Sequence, residues 1–220
     1  MSLRPLALFD LDGTLVDSAG DLTAAVNEVR AQLTLSPVSV AQVRGAISSG
    51  GRAILASGIP EVAEAERESR LDAFLAIYRD KIGYHGGLFA GIAEVLSHIE
   101  AAGSRWGVVT NKREDLARVV LERLGLAGRC SVLIGGDTLP RCKPDPLPVV
   151  TACQWLEVLP SRAVFIGDDA RDVAAGSGAG ARTIAVRWGF HPAGDDPGAW
   201  GADVVVDSAS GLLESGALYE

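Results

Sequence analysis

Residues 6–18 read LALFDLDGTLVDS. The apolar run Leu6–Phe9 ends on two carboxylates one residue apart, Asp10 and Asp12, with Gly13 and Thr14 behind them. A run apolar at every position predicts a strand covered on both faces, as parallel sheets require. Two acids at the tip of such a strand ask for a partner that can hold negative charge.

Similar apolar runs recur: RWGVVT at 105–110, SVLIGG at 131–136, AVFIG at 163–167, TIAV at 183–186 and DVVVD at 203–207. Helical periodicity lies between several of them, at 90–102, 116–124, 146–156 and 173–179. Strand alternating with helix predicts right-handed β-α-β units, an α/β fold with a Rossmann-like parallel sheet flanked by helices.

One region breaks the alternation. From about 18 to 84 there is no strand pattern. DLTAAVNEVRAQL reads as an amphipathic helix with Asp21 in its first turn, and 40–47 reads as a second. SSGGR at 48–52 interrupts, and 60–82 reads as one long charged helix. The expected organisation is an α/β core from 1–16 and 85–220, with an all-helical cap at 17–84. Its hinges are expected at Val16–Asp17 and in GYHGG at 83–87.

Bulk properties narrow the classes. The chain has 220 residues, 48% hydrophobic and 22% charged, enough for a real core and ordinary for a globular enzyme. A net charge of −8 argues against nucleic acid and anionic membranes as partners. Three cysteines without a C-x-x-C argue against a disulfide framework or a zinc cluster and fit a reducing cytoplasm. The LALF run is too short for a signal-peptide core, and no run is long enough to span a bilayer.

Ligands of open parallel sheets bind at the carboxyl ends of strands. Those ends carry Asp10 and Asp12, then Thr110 and Asn111, then Lys143 in a KPDP loop, then Asp168 and Asp169 with Asp172 one turn on. Taken singly, each has a plainer use as a helix cap, a turn residue or a solvated charge. Together they form a set suited to a phosphoryl group. Clustered carboxylates favour a hard, oxygen-liganded cation such as Mg²⁺, from Asp10, Asp168 and a main-chain carbonyl near Asp12. Thr110, Asn111 and Lys143 suit the phosphoryl oxygens. One aspartate can attack phosphorus while another, two residues on and facing the same way, handles protons.

These motifs resemble the haloacid dehalogenase superfamily of phosphatases. DLDGT at 10–14, TN at 110–111, Lys143 and GDDARD at 167–172 match its four motifs in order. The resemblance implies Asp10 as nucleophile and Asp12 as general acid/base. It implies Mg²⁺ held by Asp10, Asp12 through its carbonyl, and Asp168, with Asp169 and Asp172 in support. It implies a small phosphorylated metabolite as substrate and a helical cap that closes over it. A phospho-acceptor signalling domain would carry similar residues in another order and has no use for the helical insert.

Within the superfamily, GGDTLPRCKPDP, GDDARDVAAG and AVRWGF are similar to phosphoglycolate phosphatases. VRGAISSGGRAIL, LFAGIAEVL, WGVVTNK and DPGAWGADVVVD are similar to N-acetylmuramic acid 6-phosphate phosphatases, a peptidoglycan-recycling branch. The cap's share in the second likeness makes N-acetylmuramic acid 6-phosphate the expected substrate, with phosphoglycolate hydrolysis or a phosphosugar mutase as alternatives. Arg52, with Arg44 before it, is expected to meet a carboxylate, and Ser48 and Ser49 to meet sugar hydroxyls. Trp188 is expected to pack its loop, and Cys142 to be a passive neighbour of Lys143.

Overall fold

The computed structural model describes residues 3–192 and 194–219. Residues 1–2, 193 and 220 of the expected core segments lie outside the described residues. The opening strand β1 (Leu6–Phe9) is followed by a two-residue strand β2 (Val16–Asp17), which pairs antiparallel with β3 (Gly87–Leu88). β4 (Arg105–Val109), β5 (Leu133–Ile134), β6 (Ala163–Gly167), β7 (Arg182–Val186) and β8 (Val204–Val206) complete the strands. Six of them form one parallel sheet in the order β5-β4-β1-β6-β7-β8. The strand read from 6–9 therefore lies inside the sheet, with β4 and β6 on its two sides.

Period-two alternation divides the core. Ala7 and Phe9, with Val164 and Ile166 from β6, face one apolar cluster; Leu6, Leu8, Ala163 and Phe165 face another. The first cluster takes the apolar stripes of α6 (Ile92–Ala101) and α7 (Glu114–Arg123). The second takes those of α8 (Leu147–Trp155) and α9 (Ala170–Ala179). Burial on both faces accounts for strands that are apolar at consecutive positions.

Between β2 and β3 the chain forms α1 (Ala19–Gln32), α2 (Val40–Arg44), α3 (Gly51–Gly58), α4 (Glu64–Ser69) and α5 (Leu71–Lys81). The reading of 60–82 as one helix is corrected here, because it starts later and divides at Arg70. The Ser69 hydroxyl donates to the Glu66 carbonyl at 2.7 Å, a local bond that competes with helix continuation. The helix read at 40–47 ends at Arg44, with Ile47 in a short 3-10 turn, and the sequence reading missed α3 altogether. α3 is 8 residues long with Ile54, Leu55 and Gly58 buried, too short for periodicity to stand out. The SVLIGG strand shrinks to two residues, because Gly135 and Gly136 press against the backbones of Glu114 and Asn111 and turn the chain away. A last helix, α10 (Ala209–Glu214), was also unread.

The two segments expected to be hinges pair with each other, Val16 opposite Leu88 and Asp17 opposite Gly87. Buried Asp21 braces them, accepting from the main-chain N–H of Gly83 at 2.8 Å and of His85 at 2.7 Å. Its place in the first turn of α1 is thus only half its use.

Candidate active site

The strand order puts the carboxyl ends of β4, β1 and β6 side by side. Asp10 extends the β1 ladder by one bond, its N–H donating to the Ile166 carbonyl at 2.9 Å. Thr110 does the same from β4, donating to the Ile134 carbonyl at 2.9 Å. The residues that follow each strand are therefore aimed from a fixed ladder rather than from free loops.

Oxygen atoms of Asp10, Asp168 and Asp172 lie within 4.8 Å of one another, and all three residues are buried. Lys143 Nζ sits between two of them, 2.9 Å from Asp10 Oδ1 and 2.7 Å from Asp172 Oδ1. Asp168 is oriented by the Thr14 hydroxyl at 2.8 Å and the Phe190 N–H at 2.9 Å. Asp10 Oδ1 also accepts the Leu11 N–H at 2.7 Å. Backbone approaches very closely here: a Cβ on Gly13, where φ is +90°, would collide with the Asp168 carboxylate.

Such packing has an electrostatic cost. Burial, then repulsion from Asp10 and Asp172, pushes the Asp168 carboxyl well above the ordinary carboxylate range. Burial raises Asp172 to about 7, Lys143 opposing and Asp10 adding to the rise. Burial works against the Lys143 ammonium, but Asp10 and Asp172 outweigh it and hold the charge. Three carboxylates less one ammonium leave a formal −2 in a buried all-oxygen nest. A hard divalent cation fits that donor set in charge and chemistry.

Asp12 stands apart from the nest. Its carboxylate takes two hydrogen bonds from Lys112 Nζ, at 3.1 and 2.9 Å. Asp10, Asp12, Thr110 and Asn111 line the floor of a cavity of about 520 Å³. The helices of the insert supply much of its wall, with Ile47, Ser48, Arg52, Phe74 and Tyr78 among the lining residues.

The other expected site residues are distributed as follows. Asn111 does not face a ligand first: its amide clamps the Lys143 main chain, donating to the carbonyl at 2.9 Å and accepting the N–H at 3.0 Å. Asp169 turns from the nest, caps α9 and pairs with Arg171 at 2.7 Å. Ser48 and Ser49 line the cavity, the Ser48 hydroxyl buried and unpartnered there. Arg52 lines it too, but its guanidinium pairs with Glu68 at 2.6 Å with the side chain 73% exposed. Arg44 is absent from the cavity lining; it donates to the carbonyls of Trp188 and Gly189 at 3.2 Å and stacks 4.7 Å over Phe190. Trp188 packs its loop, its indole N–H on the Thr14 carbonyl at 3.1 Å, and His191 packs against Trp200. Cys142 is exposed at the cavity wall.

Three residues of this region had no role assigned from sequence: Lys112, Tyr78 and Arg171. Lys112 follows the Thr110–Asn111 pair directly, so a signal was present. Arg171 lies inside GDDARD and reaches the insert, donating to the Ser48 carbonyl at 2.6 Å. Tyr78 is one of several apolar residues on its helix, and nothing in its spacing separates it from core.

The haloacid dehalogenase-like hydrolase family model matches residues 7–186, which includes every strand-end residue above. The chain belongs to that family. A phosphoglycolate phosphatase of Xanthomonas campestris is 43% identical to it, covering 96% of this chain and 95% of the relative. An N-acetylmuramic acid 6-phosphate phosphatase of Pseudomonas putida is 44% identical, covering 94% and 93%. Among solved structures of the family, one described as a predicted phosphoglycolate phosphatase from Haemophilus somnus superposes with a TM-score of 0.87. Its identity is 26%, with 98% of this chain and 99% of that one covered. The fold is the family's: a six-stranded parallel sheet flanked by helices. No helix among the described residues is long and apolar enough to cross a membrane.

Proposed function

We propose that this chain hydrolyses a small sugar phosphomonoester through a phosphoryl group carried on Asp10, with Mg²⁺ in the aspartate nest, and that N-acetylmuramic acid 6-phosphate is the substrate. The enzyme is a phosphatase of haloacid dehalogenase type. The observation that carries the reading is the meeting of Asp10, Lys143, Asp168 and Asp172 in one buried cluster that opens on a cavity also lined by Asp12 and Thr110.

In the first half-reaction an Asp10 carboxylate oxygen bonds to phosphorus as the ester P–O bond breaks. The Asp12 carboxyl gives its proton to the departing alkoxide. In the second, the Asp12 carboxylate takes a proton from water. The water oxygen bonds to phosphorus, the Asp10 P–O bond breaks, and inorganic phosphate leaves. The Thr110 hydroxyl, whose oxygen accepts from the Lys112 N–H at 3.2 Å, keeps its own proton for a phosphoryl oxygen. Lys143 offsets charge beside the nucleophile, and Asn111 fixes Lys143. Asp10 and Asp168, with the Asp12 carbonyl and Asp172 beside them, would hold the Mg²⁺, which lowers repulsion between nucleophile and phosphoryl dianion. Residues 17–84 act as a cap that excludes water from the ester.

The cavity favours the larger ester. About 520 Å³ with Ile47, Ile54, Phe74 and Leu116 among its walls suits a substituted sugar, whereas a two-carbon ester would leave most of it to water. Both names occur among the similar relatives, phosphoglycolate phosphatase more often than N-acetylmuramic acid 6-phosphate phosphatase. The reading places the protein in a reducing cytoplasm, in peptidoglycan recycling, and free Cys130, Cys142 and Cys153 agree with the former. Phosphate release from N-acetylmuramic acid 6-phosphate, phosphoglycolate and simple sugar phosphates, compared as kcat/KM, tests the assignment. The muramic ester should lead by at least about tenfold. A lead for phosphoglycolate would overturn the substrate. An isomerised sugar phosphate in place of inorganic phosphate would overturn the reaction.

A further inference from the structure

The group nearest Asp12 is one the mechanism leaves idle. Lys112 Nζ donates to Asp12 Oδ1 at 3.1 Å, to Asp12 Oδ2 at 2.9 Å and to the Tyr78 hydroxyl at 2.8 Å. An ammonium has three donors, and these contacts use all three. Lys112 is thus not free to grip a phosphoryl oxygen, although it borders the cavity. Its side chain is 8% exposed, and Asp12's is 14%. The ammonium also lies 4.4 Å from the centroid of the Tyr78 ring, so the phenol fixes it by hydrogen bond and by cation–π attraction.

The three residues come from three places. Asp12 follows β1, Lys112 follows β4, and Tyr78 is on α5 of the insert. Lys112 is anchored at its own backbone, the carbonyl accepting from Gly136 N–H at 2.8 Å and the N–H donating to the Thr110 hydroxyl. Tyr78 is buried at 1% exposure and stays a neutral phenol, burial and Asp12 pushing its pKa to about 12 against the pull of Lys112. The result is a rigid bracket on both oxygens of a carboxylate that otherwise turns freely about its side-chain bonds.

We propose that Lys112 is the positioning residue for the acid/base carboxylate, and that Tyr78 is the contact through which the helical insert holds it in place. The proposal rests on the reading of Asp12 as acid/base. It makes proton transfer to the leaving group depend on the seating of the insert, with no substrate contact from either residue.

Leaving-group dependence separates this role from a merely structural one. An alkyl alkoxide needs a proton to depart, whereas p-nitrophenolate does not. The parameter to read is kcat/KM, which covers transfer to Asp10, for the fastest alkyl ester of the panel and for p-nitrophenyl phosphate. Lys112→Met should lower it for the alkyl ester by about ten- to a hundredfold, and for the aryl ester by less than about threefold. Tyr78→Phe keeps the ring and removes the hydroxyl, and should give the same selectivity with a loss of about three- to tenfold. Should Lys112→Met not fold, Tyr78→Phe carries the test alone. Equal losses on both esters, or none, would overturn the positioning role. Asp12→Ala runs beside them: equal losses there would overturn the reading of Asp12 itself, whereas selective loss there without it in the other variants would overturn only the present inference.

Discussion

The floor of the cavity and its wall are built on opposite plans. At the floor, Asp10 and the Lys143, Asp168 and Asp172 packed behind it are nearly sealed from solvent, and each holds a fixed partner. On the wall contributed by the insert, Arg52 is mostly exposed and is tied to a neighbour, Glu68, that lies on the surface as well. Buried groups cannot reorient without leaving a charge unpaired, so the floor is preorganised for one reaction. Surface pairs exchange partners at small cost, so the wall is free to differ in what it accepts. On the proposed reading, chemistry and selectivity belong to different parts of one cavity.

The contrast can be broken most severely on the floor. Asp10→Asn should abolish phosphate release, a loss of roughly four to six orders of magnitude, on the scale of nucleophile deletions; retained turnover in a steady-state assay would end the assignment. Stripping divalent cations should also silence the enzyme, with activity returning on addition of Mg²⁺. A thermal-unfolding series would sharpen this. The raised Asp168 and Asp172 carboxyls stabilise the stripped fold fully below the ordinary carboxylate range. The Asp172 share is lost as pH climbs through about 7, so the melting-temperature gain from Mg²⁺ should grow from about pH 4 to about pH 7. A gain independent of pH would detach the cation from the nest.

Smaller effects belong to the insert. Asp21→Ala removes the acceptor for two main-chain N–H groups at the crossing between core and insert, and should cost about 2 kcal/mol in denaturant unfolding. An unchanged midpoint would show that the crossing needs no brace. Arg52→Ala is the mildest: KM for carboxylate-bearing esters should rise by about three- to tenfold with kcat kept. An unchanged KM would leave Arg52 as a partner of Glu68 alone.

The same division decides what the sequence disclosed. β1 and β6 were legible to the residue because both faces are buried, which leaves an apolar run that an acid terminates. The strand-end residues followed from that, since topology alone brings β4, β1 and β6 together. Asp172 could be placed near Lys143 only by the structure, because helix pitch does not tell which of Asp169 and Asp172 turns inward. The break at Arg70, which lies beside the Ser69 hydroxyl bond to Glu66, leaves no mark on periodicity. Tyr78 was invisible because its ring belongs to the core and only its hydroxyl belongs to the site.

The central claim is that Asp10 itself carries the phosphoryl group. Acid quenching during turnover of the best ester with Mg²⁺, followed by mass analysis of the peptide holding residues 6–18, reads this directly. A phosphoryl adduct on Asp10 in the native chain, and none in Asp10→Asn, is the expected result. Continued turnover with the adduct on another residue, or with none trapped under conditions where water attack is rate-limiting, would contradict it.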